Sequence, residues 1–159
     1  GKNIAVCSNG AGPLVASLDY IQKTQLRIIP LSSKINKKIQ KYFPANYVIG
    51  KSGNPIDIPG ASHGATSSDY DFIIQQFYND KKINIIMPWF VFQDNPLDEK
   101  IIQILANFSK KKRKPLLVGG NGGPYTEKIS KLIEEYQIPV YNDLRIWITA
   151  ASALYCLGK

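Results

Sequence analysis

The chain has 159 residues, 44% of them hydrophobic, and 20 cationic against 12 acidic residues give it a formal net charge of +8. This length and composition predict one folded domain with a sizeable core and exclude a disordered chain. No apolar run approaches the roughly 20 residues of a membrane helix, and no basic, apolar leader precedes the first strand. The two cysteines, Cys7 and Cys156, give neither a disulfide framework nor metal-ligand spacing, so a reduced, cytoplasmic protein is expected.

Apolar runs alternate with amphipathic stretches throughout, which predicts strand–helix–strand units, an α/β fold and a parallel sheet. The predicted strands are Asn3–Cys7, Leu26–Ile29, Tyr47–Gly50, Ile83–Pro88, Pro115–Gly119 and Pro139–Tyr141. The predicted helices are Pro13–Lys23, Ser33–Tyr42, Ser67–Asn79, Pro96–Lys111, Pro124–Tyr136 and Leu144–Leu157. Right-handed crossovers place every strand-to-helix loop at the carboxyl edge of the sheet, where open α/β folds bind ligands.

The loop after the first predicted strand carries the clearest functional signal. Its sequence, Cys7-Ser8-Asn9-Gly10-Ala11-Gly12-Pro13, turns an apolar strand directly into a helix. Such a small-residue loop lets backbone N–H groups and the positive end of the helix dipole converge on an anion. We therefore predict that Asn9, Gly10, Ala11 and Gly12 bind a phosphoryl group or a carboxylate. The alternative is a plain strand-to-helix turn, in which Asn9 only fixes the loop.

Much of the positive charge lies in the second predicted helix and in the run Lys110-Lys111-Lys112-Arg113-Lys114. Neither place has interleaved aromatic residues or a known nucleic-acid-binding motif. A solvated basic face, with no nucleic-acid partner, is therefore the favoured interpretation. An acidic partner surface or phosphorylated ligands would also suit these residues.

The order of the motifs resembles one known family. The segment Ile4-Ala5-Val6-Cys7-Ser8-Asn9-Gly10-Ala11-Gly12, with Asp19 in the helix beyond it, is similar to the start of the carboxyl-terminal flavodoxin-like domain of succinyl-CoA synthetase β subunits. Asn54-Pro55-Ile56-Asp57 resembles the Asn-Pro-x-Asp loop of the equivalent domain in ADP-forming acyl-CoA synthetases of the acetyl-CoA type. Further similarities, in the same order, are Lys114-Pro115, Gly119-Gly120, Ile138-Pro139-Val140-Tyr141 and the Ala-rich last helix.

This resemblance covers essentially the whole chain and implies a flavodoxin-like, three-layer αβα sandwich with a mainly parallel sheet of about five to six strands. It also implies that residues 1–159 form a single CoA-ligase domain of a larger multidomain enzyme. Such enzymes interconvert acyl-CoA, phosphate and ADP with the free acid, CoA and ATP, by way of an acyl phosphate and a phosphohistidine. In the family this domain supplies a helix N-terminus that faces the phosphohistidine. Residues 9–12 match that position, and Asn54, Asp57, Gly119 and Gly120 are candidate supporting residues.

The same resemblance sets expectations for cofactors and partners. CoA, ATP or ADP, and Mg²⁺ belong to the full enzyme, and none is expected on this domain alone. The expected partners are CoA-binding, phosphohistidine-bearing and ATP-grasp domains and a small carboxylic acid, in an oligomeric enzyme. The isolated domain is expected to be inactive and to hold no metal. The segment Pro88–Asp94 stands where succinyl-CoA synthetases have a Phe-Gly-Gly turn, which favours a larger or more apolar acid.

His63 is the only histidine, and three roles are open to it. An exposed loop residue without a function is favoured over a substrate or phosphate contact, and both over the phosphocarrier. The reason is that the family's Ser-His-Thr-Gly carrier motif is absent from this chain. Because the chain has no evident nucleophile–base pair, a non-catalytic flavodoxin-like scaffold or anion-binding interaction module is the alternative function.

Overall fold

The computed structural model describes residues 1–43, 53–58, 65–94 and 97–158. The strands are β1 (Asn3–Ser8), β2 (Arg27–Ile28), β3 (Ile56–Asp57), β4 (Ile85–Phe90), β5 (Val118–Gly120) and β6 (Val140–Tyr141). The helices are α1 (Ala11–Ile21), α2 (Ser33–Tyr42), α3 (Ser67–Asn79), α4 (Lys100–Lys110), α5 (Pro124–Glu134) and α6 (Leu144–Leu157). In the described ranges, no helix is long and apolar enough to cross a membrane.

The strands form one sheet in the order β2-β1-β4-β5-β6, and every described pair is parallel. Strand β3 also pairs with β1. The amino-terminal half of β1 pairs with β2 through Asn3 and Ile4, and its carboxyl-terminal half pairs with β3 through Cys7 and Ser8. Because β4 occupies the other side of β1, the two short strands β2 and β3 share one side of it.

Successive residues of the central strands face opposite sides of the sheet, as the twofold repeat of a strand requires. In β4, Ile85, Met87 and Trp89 pack with α1 and α6, whereas Ile86 and Phe90 pack with α2, α3, α4 and α5. Two apolar cores therefore lie on the two sides of one parallel sheet. This arrangement confirms the predicted three-layer, flavodoxin-like α/β fold.

The bounds of three helices, α2, α3 and α6, are as predicted. Helix α1 begins at Ala11 rather than at Pro13, because a proline fits anywhere in a first turn, where its missing N–H is not needed. Helix α4 begins at Lys100 rather than at Pro96. Its delayed start is explained by Asp98, whose carboxylate accepts hydrogen bonds from the Lys100 N–H and the Ser67 hydroxyl.

Strand β3 is not among the predicted strands, and the predicted bounds of β4 are displaced from the observed ones. The two residues of β3 are too few to show a periodic pattern, and they fall within the Asn-Pro-x-Asp loop. Strand β4 continues two residues beyond the predicted end at Pro88, since Trp89 and Phe90 still pack against the two cores. The predicted strand Tyr47–Gly50 lies outside the described residues.

Candidate functional site

The first turn of α1 lies at the carboxyl edge of the sheet, directly after β1. Its N-cap residue, Gly10, is extended (φ −140°) and supplies no side chain to the helix, and the first turn contains no acidic residue. The Gly10 N–H donates to the Ser8 Oγ at 3.0 Å, so that donor is already engaged. Ala11 and Gly12 are exposed, and their N–H groups have no partner among the described residues. Of the predicted backbone donors, Ala11 and Gly12 are therefore the two available to a ligand.

Asn9 joins this turn to the segment that follows β4. Its Nδ2 donates to the Val91 carbonyl at 3.0 Å and to the Asp94 Oδ2 at 3.3 Å. Its Oδ1 accepts from the Val91 N–H and from the Tyr70 hydroxyl, each at 2.9 Å. Because the Asn9 side chain is buried and bonded at both ends, it fixes the shape of the turn. Of the two roles predicted for Asn9, the geometry supports this one.

Asn54 is also bonded within the sheet rather than turned towards a ligand. Its Oδ1 accepts from the Val6 N–H at 3.0 Å, and its Nδ2 donates to the carbonyls of Ile4 at 2.9 Å and Ile29 at 3.0 Å. The side chain thus pairs with the backbone of β1 at the point where β2 has ended and β3 has not yet begun. Asn54 therefore connects the two short strands to the centre of the sheet.

Asp57 belongs to a row of residues that crosses the sheet below the first turn of α1. Register pairs join Asp57 to Ser8, Ser8 to Trp89, Trp89 to Gly119, and Gly119 to Tyr141. Residues in register on parallel strands face the same side, and here Trp89 and Tyr141 belong to the core under α1 and α6. The Asp57 Oδ1 and the Trp89 Nε1 are buried without a partner in the described part of the chain. Burial raises the pKa of the Asp57 carboxyl above its usual value.

Gly119 and Gly120 are the last residues of β5, so the strand extends one residue beyond its predicted end at Gly119. A Cβ at Gly119 would collide with the Trp89 ring. At Gly120 it would lie 2.8 Å from the Phe92 Cε2. Both glycines therefore admit large aromatic side chains from β4 and the segment after it. A supporting role for them at the site stays a prediction.

An open hollow of about 350 Å³ lies next to the turn, between the segment after β4 and the start of α5. Asp94, which accepts from Asn9, is part of its wall. The other lining residues are Phe92, Gln93, Leu97 and Tyr125, so the lining has apolar walls and no cationic side chain.

Two further predictions concern His63 and a bound metal ion. His63 lies outside the described residues, so its predicted roles stay predictions. Among the described residues, no group of three or more His, Cys, Asp or Glu side chains is arranged to hold a metal ion.

Tyr70, whose hydroxyl helps to hold Asn9, is not among the residues predicted for the site. In the predicted helix Ser67–Asn79, the apolar residues Ile73 and Phe77 recur at the spacing of an inward face. Tyr70 stands three residues before Ile73, at the spacing that marks one helix face, so the signal was present. What the spacing could not supply is the partner, because Asn9 is distant in sequence.

The sequence of this chain is similar to parts of known ligases. No family model matches the chain. The chain is 26% identical over 166 residues to the α subunit of acetate–CoA ligase (ADP-forming) II from Pyrococcus furiosus, an alignment that covers 100% of the chain and 34% of that subunit. It is 22% identical over 139 residues to the ADP-forming 4-hydroxybutyrate–CoA ligase of Nitrosopumilus maritimus, covering 87% of the chain and 19% of that protein. This chain is similar to one part of the ADP-forming acyl-CoA ligases.

Solved structures agree on the fold. The dinucleotide-forming acetyl-coenzyme A synthetase 1 of Ca. Korarchaeum cryptofilum superposes with a TM-score of 0.84 at 22% identity, covering 99% of the chain and 34% of that protein. A Pyrococcus horikoshii OT3 protein also gives a TM-score of 0.84 at 22% identity, covering 97% of the chain. The resemblance predicted from the motifs is thus confirmed. The chain spans only about a third of the length of the Pyrococcus furiosus relative.

Proposed function

We propose that this chain is a domain of an ADP-forming acyl-CoA ligase, in which the first turn of α1 holds the phosphoryl group of a phosphohistidine or acyl phosphate. The observation that carries this proposal is the exposed start of α1, where Ala11 and Gly12 present N–H groups with no partner in the described residues. It is supported by the alignment with ADP-forming ligases, which extends over the whole chain.

The proposed contribution of this turn to the reaction is electrostatic stabilisation of negative charge. Phosphoryl transfer between an acyl group, a histidine and ADP passes through states in which charge builds up on the phosphoryl oxygens. The N–H groups of Ala11 and Gly12 donate to those oxygens, and the positive end of the α1 dipole adds to the attraction. Asn9, held by Tyr70 and Val91, keeps the donors in place before the ligand arrives, so little reorganisation is needed.

The remaining chemistry is assigned to other domains. CoA, ATP or ADP and the carrier histidine are expected on CoA-binding, phosphohistidine-bearing and ATP-grasp domains, in an oligomeric enzyme. Mg²⁺ is expected there too, as the resemblance to the family implies. This domain alone should therefore be inactive. For the small carboxylic acid, the apolar walls of Phe92, Leu97 and Tyr125 favour an apolar substituent.

The decisive experiment changes charge at the turn without disturbing the fold. A Cβ at Gly12 would meet nothing within 4 Å, so a side chain is accommodated there. In the complete ligase, Gly12→Asp places a negative charge where the phosphoryl group is expected, while the helix dipole still favours an acidic first turn. We expect phosphorylation of the carrier histidine from labelled ATP to fall by about a hundredfold or more.

The neutral variant Gly12→Asn is the matched control, because it has the same size without the charge. It should retain far more activity than Gly12→Asp. Gly10→Val is unsuitable, because a Cβ at Gly10 would lie 3.0 Å from the Val91 Cγ2. Normal histidine phosphorylation in Gly12→Asp would exclude the phosphoryl-holding role and leave the scaffold or interaction-module alternative.

A further inference from the structure

A cationic groove lies at the opposite edge of the sheet, where α4 ends and the chain enters the segment leading to β5. Its volume is about 280 Å³, and its lining residues are Ser109, Lys112, Arg113, Lys114, Pro115 and Leu116. Three of these six side chains are cationic and none is acidic. We call this feature the basic groove.

The backbone of the basic groove contains a conformation that lysine rarely adopts. Lys112 has a φ of 48°, in the left-handed region. It follows Lys111, the C-cap of α4, at the position where glycine or asparagine usually ends a helix. A side chain with a Cβ costs roughly 1 kcal/mol or more in this region. A lysine thus occupies a strained position in the groove wall, where glycine would be the unstrained choice.

On the other side of Arg113, the Lys114 side chain is anchored to the end of α3. Its ammonium donates to the Phe77 carbonyl at 2.9 Å and to the Asp80 carbonyl at 2.6 Å, at the end of α3. Burial lowers the pKa of Lys114, although the nearby Asp80 opposes that shift. The backbone is held at residue 112, whose N–H donates to the Ser109 carbonyl at 3.1 Å, and at residue 114, whose carbonyl accepts from the Tyr78 hydroxyl at 3.2 Å. Arg113 therefore lies between two held residues, which reduces the entropy lost when it orders around a ligand.

Asp80 lies near Lys114, but the charges of Lys112 and Arg113 are not neutralised by any described carboxylate. Within the described ranges, the ion pairs are Lys100 with Asp98 and Lys128 with Glu99, both outside the groove. Lys112 and Arg113 have no hydrogen-bond or ion-pair partner for their side chains in that part of the chain. A cation in the last turn of a helix stabilises the helix by interacting with the negative end of its dipole, and Lys110 already does this in α4. Lys112 and Arg113 are therefore not needed for that purpose.

We propose that the basic groove binds the phosphate group of a phosphorylated small molecule, at a site separate from the first turn of α1. The planar guanidinium of Arg113 pairs with two phosphate oxygens at once, and Lys112 adds a second positive charge. The Ser109 hydroxyl provides a neutral donor on the same wall. The volume suits one or two phosphate groups rather than a large apolar ligand. This proposal does not depend on the catalytic role of the chain.

The test uses the 159-residue chain and inorganic pyrophosphate as the probe, followed by amide NMR at about 0.15 M salt. We expect saturable shifts at residues 109–116. Lys112→Gly removes the charge and relieves the backbone strain, so a loss of affinity cannot be attributed to misfolding. The expected loss is about tenfold for Lys112→Gly, and similar for Arg113→Gln.

Gln137→Gly is the matched control. Gln137 is the other described residue with a positive φ that is not glycine (60°); it is exposed and lies outside the basic groove. This variant relieves the same kind of strain and should leave pyrophosphate affinity unchanged. The proposal is overturned if Lys112→Gly and Arg113→Gln bind pyrophosphate as tightly as the unaltered chain. It is equally overturned if the shifts map only to residues 9–13, since that result concerns the α1 turn alone.

Discussion

The two edges of the sheet offer positive charge to a ligand in different ways. In the described turn at the carboxyl edge, the Asn9 side chain is engaged in internal hydrogen bonds, while the N–H groups of Ala11 and Gly12 have no partner. At the amino edge, charged side chains of the basic groove are themselves exposed to solvent, as Lys112 and Arg113 are. The site proposed at the carboxyl edge therefore relies on backbone donors held in place beforehand, and the site proposed at the amino edge relies on full charges on longer side chains.

This difference has consequences for stability and for binding. A backbone site depends on the buried hydrogen bonds that hold its loop, so it should be sensitive to mutations in the sheet beneath it. A side-chain site at the surface contributes little to folding and should be sensitive to ionic strength.

The largest expected effect is on stability. Asn54→Ala removes two buried hydrogen bonds, to the backbone of Val6 and Ile4, and a part-buried one to the Ile29 carbonyl. The free energy of unfolding should fall by about 3 kcal/mol, because the abandoned backbone groups stay buried. At the other edge, Arg113→Ala should change it by less than about 0.5 kcal/mol. Urea denaturation of both variants gives the comparison, and equal losses would show that the two edges do not differ in this way.

The second effect is on the salt dependence of anion binding. Raising the salt concentration from about 50 mM to about 500 mM should weaken pyrophosphate binding at Arg113 about tenfold, because mobile ions screen exposed charges. Pyrophosphate binding at Gly12 should weaken several-fold less, since partial backbone charges act over short distances. Amide NMR resolves the two sites in one titration. Identical salt slopes at Gly12 and Arg113 would argue against the distinction.

The smallest effect concerns Asp57 at the carboxyl edge. Burial raises the pKa of its carboxyl in the folded chain, so the folded state binds the proton more tightly than the unfolded state does. Stability from this group is therefore complete below the unfolded pKa and is lost as the pH rises through the folded pKa. Asp57→Asn, which cannot ionise, should raise the melting temperature by a few degrees at about pH 7 and leave it unchanged at about pH 3. A melting temperature lowered equally at both pH values would instead assign Asp57 a structural hydrogen bond.

Long periodic segments were the most predictable part of the fold. The bounds of α3 were predicted correctly because its apolar residues repeat over 13 residues. The end of β4 was misplaced, because nothing local distinguishes Trp89 in a strand from Trp89 in a loop. Strand β3 has only two residues and forms because β1 offers free hydrogen-bonding groups beside it. Its existence depends on a partner far away in the chain.

The candidate site likewise combines features that local sequence predicts with features that depend on distant residues. The loop 9–12 was predicted as a candidate anion site from residue types, since small residues between a strand and a helix leave room for a ligand to approach the backbone donors. The engagement of the Gly10 N–H by Ser8 was not predicted, although the two residues are neighbours. The hydrogen bonds that join Asn9 to Tyr70 and Val91 could not be predicted, because they depend on how β1, α3 and β4 come together.

Periodicity and small residues at a turn act over a few residues of chain. They were enough to predict the alternation of strands and helices, the parallel sheet and the position of the loop that opens α1. Packing determined which donors of that loop remain available, how Asn54 bonds β1 to the end of β2, and that Lys112 and Arg113 share a groove lined by no acidic side chain. Those properties arise from groups brought together by packing, and no local pattern records which distant groups will meet.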